Sequence, residues 1–271
     1  MKKTFRTAMF STIAMLIVGV MSLTGVTYAW FTQGTTANVT GMSMSVVAAD
    51  GGLQISTTKD SGYANKLELT NAELTNIEPV SSVDAKKFFA ATINEENSNE
   101  IKTTETTANV WTQDLYVKNT GYDKIVVDLS TTAFVDVDKN ENRAAEAAAK
   151  LAVFTVSEEG EETLQYIYSQ GTDTYKGVKE ASGDDYFNIS TGFVGTDTTK
   201  SYIASPEKFK TNQAECTFTI DGGEVVEGVF QETVVHIKVV VWLEGQDQDC
   251  VNKNAASTFG LDLVFNATKA A

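Results

Sequence analysis

Strict alternation is sharpest over 233–243, where Val235, Ile237, Val239, Val241 and Leu243 share one parity and His236, Lys238 and Trp242 the other. Period-two spacing of this kind puts the apolar set on one face of a β-strand. Residues 258–265 repeat the pattern with Phe259, Leu261, Leu263 and Phe265. Upstream, Trp111, Leu115 and Val117 share a parity, and Asn119-Thr120-Gly121 supplies turn residues. Ile125, Val127 and Leu129 then continue opposite Asp128. The stretch reads as an antiparallel hairpin with one wet face. Further strands are predicted over 39–49, 53–57 after Gly51-Gly52, 151–156, 163–169 (Leu164, Tyr166 and Tyr168 on one side) and 216–220, with weaker ones near 186–189 and 200–204. Arg143 to Lys150 (RAAEAAAK) is the single convincing helix, short and Ala-rich. Segment 58–105 is polar with apolar bursts and is expected to be an irregular excursion from the core. About eight to ten strands at this spacing predict a mainly β fold, an antiparallel β-sandwich with a short helix and long loop insertions.

The first residues follow a different rule. Lys2, Lys3 and Arg6 precede an uncharged apolar run from Ala8 to Val26, and Thr27-Tyr28-Ala29 offers small residues at the exit. A cationic start, a greasy middle and a small-residue end make a secretory signal peptide over 1–29, cut between Ala29 and Trp30. The run also reaches the ~18 residues that can span a bilayer, so an uncleaved anchor is the alternative. Either way, 30–271 is expected outside the cell as a single β-sandwich domain.

Composition narrows the partners. The formal net charge of −15 and a pI near 4.5 set the chain against nucleic acid and anionic lipid. With 42% hydrophobic residues the chain has enough apolar surface for a core. Cys216 and Cys250 are the two cysteines. In an exported protein the pair predicts a disulfide closing a loop of roughly 35 residues, contributing about 3 kcal/mol, the alternative being two thiols.

Little else points to chemistry. His236, the one histidine, lies mid-strand without a nearby nucleophile, so neither a Ser-His-Asp triad nor a two-histidine zinc site can be assembled. No enzyme is expected, and no cofactor is required. Asp136, Asp138, Asn140 and Asn142 place oxygens at alternate positions, as at the start of a calcium-binding loop. Glu141 stands where such a loop wants Gly, and Ala147 where it wants Glu. The residues therefore read either as a calcium site or as a polar turn capping the helix. Glu244, Asp247 and Asp249 cluster after the strongest strand and are expected on a hydrophilic turn.

Several stretches together resemble the TasA/camelysin family of secreted Gram-positive surface proteins. Thr27-Tyr28-Ala29-Trp30-Phe31-Thr32 is similar to the family's aromatic-flanked export signal, cut by a dedicated SipW-type signal peptidase. Asp114 to Gly121 followed by Ile125-Val126-Val127 resembles the family's N-x-G hairpin, and Val241 to Cys250 (VWLEGQDQDC) resembles an ending found in related clostridial proteins. Segments 58–105 and 171–212 match nothing in the family. The resemblance implies a jelly-roll-like sandwich that polymerises with itself into extracellular matrix fibres, in company with other matrix or cell-wall components. In such fibres an N-terminal strand inserts into the next subunit, with backbone pairing for affinity and alternate side chains for specificity. Here the donor would be 30–49, headed by Trp30 and Phe31 and pegged by Met42, Met44 and Val46. The alternative is that this strand pairs within its own domain. A secreted adhesion or carbohydrate-binding module is the competing function. The peptidase activity attributed to relatives has no metal triad to carry it here.

Overall fold

The computed structural model describes residues 37–39, 43–48, 52–68, 74–93, 100–129, 134–136, 145–170, 186–188, 192–193, 208–245, 247, 250 and 258–270. Among them the chain is mainly β, as the alternation predicts, and two sheets carry the sandwich. The first sheet has eight strands: β1 (Ala37–Val39), β2 (Ser43–Ala48), β4 (Lys66–Glu68), β5 (Leu74–Ile77), β9 (Ile125–Leu129), β10 (Phe134–Asp136), β16 (Thr217–Ile220) and β20 (Thr258–Lys269). β20 is its spine. β10 and β9 pair antiparallel along one side of β20, and β1 and β2 pair parallel along the other. The second sheet has six strands in the order β15 (Phe209–Lys210), β12 (Glu162–Ser169), β11 (Ala149–Val156), β19 (Thr233–Leu243), β8 (Trp111–Asn119) and β3 (Leu53–Ser56).

The main core lies between these sheets. Phe259, Leu261, Leu263 and Phe265 are fully buried and share one cluster with Leu115, Val117, Leu151, Val153, Ile237 and Val239. Each such side chain stabilises the fold by about 1.5–3 kcal/mol relative to an exposed one.

Segment 58–105 departs from the expected irregular excursion. Besides β4 and β5 it forms β6 (Phe88–Ile93) and β7 (Glu100–Thr106), which pair with β13 (Tyr186–Asn188) and β14 (Gly192–Phe193) in a third sheet. It also covers the outer face of the second sheet. Val80, Ala85 and Phe88 pack against Ala152, Phe154, Ile167, Val240 and Trp242 in a second core. Val80 holds the cover in place: its N–H donates to Leu243 O at 3.0 Å, and its carbonyl accepts from Gly245 N at 3.0 Å. Phe88 meets Trp242 edge to face, ring centres 5.4 Å apart.

Four further readings are corrected. β8 and β9 are not a hairpin: β8 pairs with β19 and β3, while β9 pairs with β20 and β16 in the other sheet. The Asn119-Thr120-Gly121 turn is an arch between sheets. Asn119 buries its amide, accepting from Gly121 N and donating to the carbonyls of Asp123 and Asp221. The expected helix shrinks to α1 (Ala145–Ala148), because Ala149 and Lys150 pair with Leu243 and Trp242, and the sheet ladder overrides alanine's helix preference. A bulge between Val153 and Phe154 turns Leu164 to the second core while Tyr166 and Tyr168 enter the first. Finally, a hairpin of β17 (Glu224–Val226) and β18 (Val229–Gln231) sits between β16 and β19, where the pattern predicts no strand.

Candidate functional site

The donor-strand residues divide. Ala29, Trp30, Phe31 and Met42 lie outside the described residues. Met44 and Val46 are 0% and 5% exposed on β2, which runs parallel to β20 from Ser43↔Asp262 to Ala48↔Ala267. On its other side β2 pairs antiparallel with β4, and Val46 N donates to Asn65 O at 2.9 Å. Alternation does the positioning: the two apolar side chains share a parity and drop between the sheets. Within one chain, β2 thus completes its own sheet, and its seat is a slot between β20 and β4.

Asp138, Asn140 and Asn142 also lie outside the described residues, while the backbone of Asp136 pairs with Phe259 at the end of β10. The two cysteines depart from the expected disulfide. Cys216 and Cys250 are both buried as thiols in the main core. The Cys216 thiol donates to Asn212 O at 3.6 Å, and burial pushes its pKa up to about 12 against the pull of Lys210, so it is a poor nucleophile. His236 has the surface role that its strand position implies. Its ring stacks on Tyr116 at 4.7 Å, and Nε2 lies 2.9 Å from an oxygen of the exposed Asp114.

The turn after β19 is where sequence reasoning failed most. Glu244 and Asp247, expected on a wet turn, are 0% and 2% exposed. Glu244 accepts hydrogen bonds from Trp242 Nε1 at 3.0 Å, from Ser82 N at 3.2 Å and from Ser81 Oγ. Asp247 pairs with Lys150, whose ammonium also donates to Ser169 Oγ at 2.7 Å; neither charged side chain reaches solvent. At the end of an Ala-rich run, Lys150 reads as the polar end of a helix. The available signal was its place inside the run Ala-Ala-Lys-Leu-Ala-Val-Phe, which as a strand puts the lysine on a buried face.

The β17–β18 hairpin is the opposite case. Val225, Val226 and Val229 are largely exposed, as is Tyr122, whose ring lies 4.4 Å from that of Phe230. Glu227 and Gly228 both take positive φ in its tight turn, which matches the twist of the flanking strands. A Cβ on Gly222 would lie 1.9 Å from the Tyr122 carbonyl, so that crossing requires glycine. Beside Tyr122, a shallow cavity of about 190 Å³ opens against Gly52, Asn119, Ala267 and Lys269.

No family model, curated protein or solved structure matches the chain. The functional reading therefore rests on the residues and their geometry. Among the described residues no helix is long and apolar enough to cross a membrane.

Proposed function

We propose that this chain is a secreted structural protein of the cell surface or biofilm matrix, polymerising into fibres by exchange of its first strands. The observation that carries the reading is the seat of β2. A parallel ladder to β20 and an antiparallel ladder to β4 hold it, with Met44 and Val46 as buried pegs. The same segment from a second copy can make the same ladders and fill the same slot, which is the requirement for strand addition. Cleavage between Ala29 and Trp30 by a signal peptidase would free that segment, and failure to cut would leave a tethered monomer. The acidic surface fits a soluble exported subunit.

Electron microscopy and sedimentation of the processed chain test the proposal. Fibres are expected from the processed wild type and not from Met44→Glu, which puts a charge on the peg. A processed chain that stays monomeric at high concentration sinks it. The exposed hairpin of Val225, Val226 and Val229 favours a second reading, an adhesion or carbohydrate-binding module. Retention of the monomer on a polysaccharide array, lost in Val229→Asp, would favour that reading over fibres.

A further inference from the structure

We propose that Lys150 and Asp247 form a site of covalent self-modification, an amide bond made within the folded chain between Lys150 Nζ and Asp247 Cγ. Lys150 stands in the middle of the second sheet, with Ser169 of β12 and Trp242 of β19 as its register neighbours. Beside it on that face stand Ser169 and the buried Ala152, Phe154, Val240 and Trp242, while Lys238 and His236 lie at the far, wetter end. The ammonium and the Asp247 carboxylate are in direct contact, and both are fully sealed from water.

Burial penalises both charges. Moving one proton from the ammonium to the carboxylate removes the two charges together, leaving a free amine against a carboxylic acid. Those are the two partners of an amide condensation. The amine left by that transfer carries the lone pair that attacks the carboxyl carbon. The ladder between β11 and β19 fixes one partner. The turn fixes the other, through Asp247 N to Glu244 O at 3.1 Å and Cys250 N to Asp247 O at 3.0 Å. Holding reacting groups in contact replaces an encounter by a local rearrangement.

The step balances without a co-reactant. The Nζ–Cγ bond forms and one Cγ–Oδ bond breaks. The ammonium gives up two protons, which leave with that oxygen as water, and nothing is oxidised or reduced. The product amide keeps one N–H, in place to donate to Ser169 Oγ as the ammonium does.

Intact-mass measurement of the purified full chain, unfolded and reduced, tests the proposal. The expected mass is lower than that of the sequence, from its actual first residue, by one water. Digestion should release a branched peptide joining positions 150 and 247. Because the sample is reduced, a disulfide cannot mimic the result. Lys150→Arg and Asp247→Ala should return to the full sequence mass. A wild-type chain at full sequence mass, with Lys150 and Asp247 in separate linear peptides, overturns the bond whatever the variants do.

Discussion

His236 and Trp242 leave β19 on the same side of the second sheet, yet one meets water and the other a core. At the first end, His236 and Lys238 face Asp114 and Glu162 in partly exposed pairs of 2.9 Å and 2.7 Å. At the other end, Val240 and Trp242 are about 1% exposed beneath Val80 and Phe88. The strand itself is regular, pairing with β8 over 233–241 and with β11 over 236–243. What differs is the cover. The face of a strand is wet or dry according to what a distant segment places on it, and here that segment is the one around 78–89.

Substitutions in the strand and in its cover separate the two contributions. Trp242→Ala should be the most damaging, removing a buried ring and an indole donor to Glu244, at about 4–5 kcal/mol in urea denaturation. An effect below about 1 kcal/mol would mean that the outer face is not a core. Phe88→Ala attacks the cover rather than the strand and should cost about 3 kcal/mol, while exposing Trp242 to a fluorescence quencher. His236→Ala should cost only about 0.2–1 kcal/mol, the range of an exposed pair.

Asp128 sharpens the comparison from the first sheet. It lies on the outer parity of β9, with one carboxylate oxygen buried and without a hydrogen bond. Burial raises its pKa, and a hydrogen bond from Asn266 only partly opposes the rise. A carboxyl whose folded pKa is raised costs nothing at low pH, where it is protonated in both states. Stability is lost as pH climbs from the ordinary aspartate value through the folded one. Asp128→Asn should therefore give a small gain in denaturation midpoint at neutral pH that disappears below the ordinary aspartate range. A gain that persists in acid would remove the titration as its cause.

The legible parts of the fold were those in which one face decides everything. The alternation over 233–243 coincides with β19, and Phe259, Leu261, Leu263 and Phe265 are the buried set of β20, which runs on to Lys269. Asn119-Thr120-Gly121 announces a reversal of the chain, but turn chemistry does not say which sheet the next strand joins. That depends on long-range partners, here β20 and β16 for β9. The second core was illegible for the same reason: Val80 and Phe88 sit in a polar segment, and only folding sets them on Trp242. Of the candidate site, the shared burial of Met44 and Val46 was readable from their parity. Lys150, Glu244 and Asp247 were not, because a charged residue is assigned to water until its neighbours exclude it.

The parallel course of β2 and β20 has a consequence for force. A pull applied before β2 and after β20 draws the two strands past each other along their own axes. Every bond between Ser43↔Asp262 and Ala48↔Ala267 is then loaded at once. A hairpin pulled at its ends opens rung by rung, each bond yielding under the whole load. β2 and β20 are instead arranged as a lap joint in shear. Its strength under tension is governed by the rate at which the ladder ruptures rather than by its equilibrium stability.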